Sequence, residues 1–206
     1  MFAVALFASY LLGSIPFGYI AGRIAGIDIR NVGSRNLGAT NVTRTLGKAY
    51  GYSVFTLDFL KGLAAVRLSI VIAERAPGMS VSPEITGMVA AIFCVIGHSF
   101  PIWLRFKGGK GVATSAGALF GLMPAALVIG AIVWIVTFQI TRFVSLASMV
   151  AAIALPMATL ILLLLGHATS YALFYFTIGL AGLIIVRHRA NLSRLIRGTE
   201  PRFTRK

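Results

Sequence analysis

The chain has 206 residues, of which 58% are hydrophobic and 12% charged, and 19 Lys+Arg against 5 Asp+Glu leave a net charge of +14. A charged fraction about half that of ordinary soluble domains excludes a soluble enzyme, and at roughly 20 apolar residues per helical crossing most of the length is used in a bilayer. The same burial argues against nucleic acid as the partner of the positive charge, since only short loops could reach it.

The first apolar run, 2–22, has no basic residue ahead of it; Arg23 follows it, which favours an external N-terminus and an internal first loop. A second span is predicted over 51–73, carrying Asp58, Lys61 and Arg67, with a short polar connection over 74–84. A third covers 85–104 and contains the single cysteine, Cys94, which reads as a small buried apolar residue. The region 112–140 is ambiguous by length. As one span it would put the basic tail on the opposite side from the earlier basic loops; a fold-back at GLMP (121–124) returns it to the cytoplasm and turns Arg142 inward. Each arm of that pair is then shorter than a normal span, and one is tilted, partly re-entrant or sunk below the surface. Further spans are predicted over 144–165 and 171–186, and the tail 187–206 carries seven basic residues. The expectation is an all-α, polytopic membrane protein with seven transmembrane helices, N-terminus out and C-terminus cytoplasmic, forming a single domain over 1–206.

This topology places three polar stretches on one face: GSRNLGATNVTRTLGK (33–48), HSFPIWLRFKGGKGVATS (98–115) and RHRANLSRLIRGTEP (187–201). Glycines let backbone N–H groups converge on phosphate oxygens, arginine offers a planar fork, and lysine a mobile point charge. Topology alone needs charge; it does not need GSRN, TNVTR or GGKG. The second stretch is no nucleotide P-loop, because Leu104 stands where the first glycine of G-x-x-x-x-G-K-[ST] belongs and Gly111 follows Lys110. Five acids scattered along the chain make no cation cage, so neither metal nor cofactor is expected.

The three stretches, in this order and between these apolar runs, resemble the signature motifs of the bacterial acyl-phosphate:glycerol-3-phosphate acyltransferases, the PlsY family. The resemblance covers essentially the whole chain. It implies a seven-span enzyme of the bacterial cell membrane, the inner one if the envelope has two, with its active site facing the cytoplasm. Such enzymes move a fatty acyl group from acyl-phosphate to the 1-hydroxyl of glycerol 3-phosphate, giving lysophosphatidic acid and phosphate, the first acylation of phospholipid synthesis. A hand-off from an acyl-phosphate-forming enzyme is implied as well. Two phosphorylated substrates suit stretches rich in cations and free of acids, and one soluble and one lipid-like substrate suit a membrane surface.

Carried over by position, the resemblance makes Ser34, Arg44, Lys110, His188 and Asn191 the expected catalytic residues. Asn36, Thr40 and Asn41 line the first loop, and Lys107, Gly108, Gly109 and Gly111, with Ser115 at the next helix start, match the glycerol 3-phosphate segment. His98, Arg142 and Ser145 are further substrate-binding candidates, and Glu200 reads as a structural carboxylate. No His-x-x-x-x-Asp pair exists: the fifth residues after His98, His167 and His188 are Trp103, Ala172 and Ser193. The proton acceptor is then either His188 or, the favoured reading, a substrate phosphate oxygen, whose second pKa lies near about 6. An acyl-enzyme on Ser34 is disfavoured because no relay is visible for it.

Several residues also have plain structural readings. His98 could bond backbone at its helix end, His167 reads as a solvated loop residue, and Asp58 and Lys61 (i, i+3) could pair with each other or Lys61 could face the phosphate loops. Gly117, Gly121, Gly130, Gly179 and Gly182 read as helix-packing positions. A phosphorylated-anion transporter is the main rival, but the polar groups cluster at one face rather than the midplane and no repeat is evident. A binder of anionic head groups needs only basic clusters and leaves the glycine and amide pattern unexplained.

Overall fold

The computed structural model describes residues 2–76, 81–167 and 170–203. Parts of the predicted connections, at 77–80 and 168–169, and the last residues of the basic tail lie outside these. All regular elements among the described residues are helical: α1 (Phe2–Ser14), α2 (Phe17–Ile24), α3 (Ala39–Leu46), α4 (Lys48–Arg75), α5 (Pro83–Ser99), α6 (Val112–Leu122), α7 (Pro124–Thr141), α8 (Val144–Leu164), α9 (Tyr171–Arg187) and α10 (Arg189–Ile196), with two single 3-10 turns at Ile29–Asn31 and Ile102–Leu104. They divide into two compact units, Met1–Leu122 and Met123–Lys206.

Four helical stretches among the described residues are long and apolar enough to cross a membrane: Phe2–Ile24, Pro83–Leu104, Pro124–Thr141 and Val144–Leu164. A fifth joins them if α9 and α10, bent by 60°, count as one. Two further predicted spans are of another kind. Helix α4 has 28 residues but carries Asp58, Lys61 and Arg67, and α6 has only 11. The fold-back region does break at Met123, where Pro124 occupies the first turn of α7 and has no N–H to continue α6.

The first predicted span is present as Phe2–Ile24, broken at Pro16 so that α2 starts afresh at Phe17. One expectation needs correction: Gly179 and Gly182 are not packing positions, since among the described residues a Cβ on either would meet nothing within 4 Å. Gly117 and Gly121 do face α4, against Phe59 and Val66, and Gly130 faces Leu155 of α8.

In the first unit, close helix approach sets the level of the polar groups. Gly13 of α1 lies against the Cys94 carbonyl of α5, Gly97 lies against Tyr10 and Ser14, and Gly62 of α4 lies against the Thr114 carbonyl of α6. These contacts bring the ends of α1 and α5, the start of α6 and the middle of α4 together. In the second unit, α7 meets α8 through Gly130 and through Trp134, whose Nε1 donates to Ser148 Oγ at 3.1 Å.

Candidate active site

The first basic stretch follows a 3-10 turn capped by Asp28, whose Oδ1 accepts from the Arg30 N–H at 3.0 Å. The Arg30 guanidinium also grips this carboxylate, with Nη2 2.6 Å from Oδ2, and that hydrogen bonding holds the acid down at about 2. The acid preceding the loop is thus occupied by its own arginine, and none follows until Asp58.

Asn41 organises the turn that follows. It is buried, and its Nδ2 reaches the carbonyls of Ile29, Val32 and Asn36 at 3.4, 3.1 and 3.0 Å, while its Oδ1 accepts the Ser34 N–H at 2.8 Å. Asn36 Oδ1 accepts the Gly38 N–H at 2.8 Å, turning the chain into α3. The Ser34 side chain and neighbouring Arg35 (φ 57°) are exposed. Thr40 is half-buried in the first turn of α3, and Arg44 stands exposed in its last turn. The helix over 39–46 is a structural element the sequence reading did not anticipate.

The second stretch is laid on the end of α5. The Gly108 and Gly109 N–H groups donate to the Ser99 and His98 carbonyls, each at 3.1 Å. These two amides are therefore tied to α5, which leaves the cationic part of the loop to Lys110, half-buried, and Lys107, exposed. Gly111 takes φ +82°, a left-handed turn that favours glycine and that starts α6. The uncoordinated N–H groups of a helix's first turn attract anions. The Ser99, Thr114 and Ser115 hydroxyls are buried here without a hydrogen-bond partner among the described residues, and a Cβ on Gly111 would lie 3.5 Å from Ser99 Oγ and 3.8 Å from Ser115 Oγ. Ser99 escaped the sequence reading because a serine at a helix end carries no motif by itself.

Both stretches share one foundation. Leu104, from the turn before the glycine loop, belongs to the same buried apolar cluster as Leu37 and Val42 of the first stretch, with Ala21, Ile29 and Val54. Beneath the glycine loop the pair expected from the i, i+3 spacing of Asp58 and Lys61 is present, joined by a histidine that spacing could not reveal. Lys61 Nζ is 2.7 Å from Asp58 Oδ1 and donates to the Ile15 carbonyl at 2.9 Å, the backbone group at the Pro16 break. His98 Nδ1 lies 3.4 Å from the same Asp58 oxygen. A search for acids five positions after a histidine cannot find a carboxylate on another helix, 40 residues earlier.

The third stretch is described within the second unit. His188 is buried at the junction of α9 and α10, and its Nδ1 is 2.8 Å from the Ile184 carbonyl. A carbonyl only accepts, so Nδ1 carries a proton. Glu200 gathers its neighbours: Oε1 accepts from Ser145 Oγ at 2.6 Å and Asn191 Nδ2 at 2.7 Å, and Oε2 from Arg194 Nε at 2.7 Å. Arg142, in the left-handed region at φ 62°, accepts the Phe203 N–H on its carbonyl at 2.8 Å and holds its guanidinium 5.9 Å from the Phe138 ring centre.

Burial pushes the Glu200 carboxyl up, but the three donors and the Arg194 charge together hold it below its ordinary value near 4.5. A depressed folded-state value means the carboxylate stabilises the fold fully above that ordinary value, and the contribution is lost as pH falls through the lower one. Acid titration of thermal unfolding should therefore show a loss below about pH 4.5 that Glu200→Gln removes. An identical acid limb in the variant would assign the loss elsewhere.

A family profile described as glycerol-3-phosphate acyltransferase matches residues 3–198. A glycerol-3-phosphate acyltransferase of Aquifex aeolicus (strain VF5) is 45% identical over 196 residues, 95% of each chain. One of Staphylococcus haemolyticus (strain JCSC1435) is 41% identical over 204 residues, 98% of each. The crystal structure of PlsY (YgiH), an integral membrane glycerol 3-phosphate acyltransferase, is similar in its glycerol 3-phosphate form with TM-score 0.85 and 41% identity, covering 98% of this chain and 96% of that one. Its lysophosphatidic acid form gives TM-score 0.82 and 39% identity, covering 98% and 95%.

Proposed function

The chain belongs to the glycerol-3-phosphate acyltransferase family, and on that premise we propose that it transfers a fatty acyl group from acyl-phosphate to the 1-hydroxyl of sn-glycerol 3-phosphate. The products are lysophosphatidic acid and inorganic phosphate, in the first acylation of phospholipid synthesis. The observation that carries the reading is the pairing of two glycine-rich, acid-free loops on one buried cluster through Leu37, Val42 and Leu104. Two anionic substrates need such paired cationic surfaces, and a fatty donor needs them on a membrane-embedded scaffold.

In this reading Ser34 and Arg44 bind phosphate on the first loop, with Asn36, Thr40 and Asn41 shaping it. Lys107, Lys110, Gly111 and Ser115 hold glycerol 3-phosphate at the start of α6, and His98 supports Gly108 and Gly109. His188 and Asn191 serve the same transfer, Glu200 orients Asn191 and Ser145, and Arg142 is a further anion contact. The chain works as one catalytic domain with seven membrane helices, counting α4 and the short α6, and the N-terminus outside. Its loops face the bacterial cytoplasm, where an acyl-phosphate-forming enzyme supplies the donor.

The substrate hydroxyl attacks the acyl carbonyl, the acyl–phosphate bond breaks, and the phosphate leaves on an already activated bond. Positioning and charge stabilisation then carry most of the rate. The hydroxyl proton passes to a substrate phosphate oxygen. His188→Asn should accordingly keep the pH dependence of kcat while lowering kcat modestly. If His188 were the base, kcat would fall by about 10²- to 10⁴-fold and the limb near neutral pH would disappear.

The experiment that tests the donor compares palmitoyl-phosphate with palmitoyl-coenzyme A on purified protein with glycerol 3-phosphate. Lysophosphatidic acid formed from the phosphate donor alone supports the reading, and preference for the thioester overturns it.

A further inference from the structure

We infer that Asp58 is a positioning residue for the transfer, acting through the His98 imidazole on the 107–111 loop. The inference rests on reading that loop as the glycerol 3-phosphate site. Asp58 and Lys61 stand one helical turn apart on α4, with side chains 3% and 1% exposed. A buried ion pair is often no more stabilising than apolar residues of the same volume, so stability alone gives little reason to keep one here. The pair also does not close on itself. The Asp58 oxygen that meets Lys61 at 2.7 Å also faces His98 Nδ1 at 3.4 Å, and Lys61 reaches on to the Ile15 carbonyl.

The other edge of the imidazole faces the loop. A Cβ added to Gly109 would collide with His98 Nε2, so the ring fills the space beneath Gly109. The His98 and Ser99 carbonyls hold the Gly109 and Gly108 amides from the same side. Ring and carbonyls together form the floor on which Lys110 and Gly111 are set. A carboxylate facing Nδ1 favours a proton on that nitrogen and fixes the ring plane, with the Nε2 edge turned toward the loop. Asp58 thus orients the ring, Lys61 supplies the countercharge, and the ring sets the height of the loop.

The competing explanation is that Asp58 only neutralises Lys61. Three variants separate the two: Asp58→Asn, Lys61→Met, and both together. The double variant leaves no unpaired buried charge, so it keeps the test open if Asp58→Asn alone misfolds. Two quantities are read in each: kcat and KM for glycerol 3-phosphate with palmitoyl-phosphate as donor, and amide hydrogen exchange over 106–112 with 39–46 as internal reference.

The positioning role predicts that KM for glycerol 3-phosphate rises about tenfold or more in Asp58→Asn and equally in the double variant. Exchange should accelerate over 106–112 and not over 39–46. It also predicts that adding Asp58→Asn to His98→Gln costs nothing further, since one acts through the other. A double variant with wild-type KM and wild-type exchange overturns the inference, because Asp58 then serves only the charge of Lys61. If wild-type protein makes no lysophosphatidic acid, the functional reading fails separately. Exchange then decides alone: unchanged rates over 106–112 in the double variant overturn the coupling of Asp58 to the loop, and faster rates sustain it.

Discussion

Lys110→Ala is expected to lower kcat/KM for glycerol 3-phosphate by about 10²- to 10³-fold, the range seen when one preorganised charge-stabilising donor is removed. The size follows from how the loop's other donors are used. The Gly108 and Gly109 amides are committed to the Ser99 and His98 carbonyls, so the glycines supply shape more than donors. The positive charge at the start of α6 then comes from the helix end and from Lys110, set directly before the left-handed Gly111. Lys110→Arg keeps the charge but exchanges a compact ammonium for a planar fork, and should recover only part of the loss. The assay is initial lysophosphatidic acid formation at varied glycerol 3-phosphate, alongside thermal unfolding in detergent. An unchanged kcat/KM in folded Lys110→Ala protein would remove Lys110 from the glycerol 3-phosphate site.

Gly109→Ala should be nearly as damaging, about 10²-fold in kcat/KM, although it adds a single methyl group. The new Cβ would overlap the His98 imidazole. That ring cannot swing aside cheaply, because it ends a packed helix and faces Asp58, which Lys61 holds. The loop must lift instead, carrying Lys110 with it. Gly179→Ala is the matched control: a Cβ there meets nothing within 4 Å, and in a helix interior alanine is the better residue, so stability should hold or rise slightly. Equal activities for the two variants would show that the close approach under Gly109 is not needed for function.

The legible parts of this protein were those written in continuous local signals. Apolar runs marked the long helices, and the proline of GLMP marked the break between α6 and α7, because a missing N–H acts on its own chain segment. Pro16 breaks the helix in the same way, while the surrounding run SIPFGYIAG stays apolar enough to form one span, Phe2–Ile24. The short helices α3 and α10 were hidden for the opposite reason. Each has only eight residues, half or more of them polar or basic, which reads as loop when no partner surface is known. For the site, loop composition pointed to anions, but composition does not say which amides are already taken. The Asp58–His98 juxtaposition joins α4 and α5 where Cys94 Sγ also meets the Lys61 carbonyl at 3.7 Å, and no spacing within one segment encodes it. The Glu200 contacts with Ser145 and Asn191 likewise span 55 and 9 residues.

The most direct test of the account is phosphate release from palmitoyl-phosphate by the purified protein, followed with and without glycerol 3-phosphate, with lysophosphatidic acid quantified in the same tubes. The account predicts release that depends on glycerol 3-phosphate and matches lysophosphatidic acid one for one. Release at the same rate without the acceptor, or none from folded protein in its presence, would contradict it.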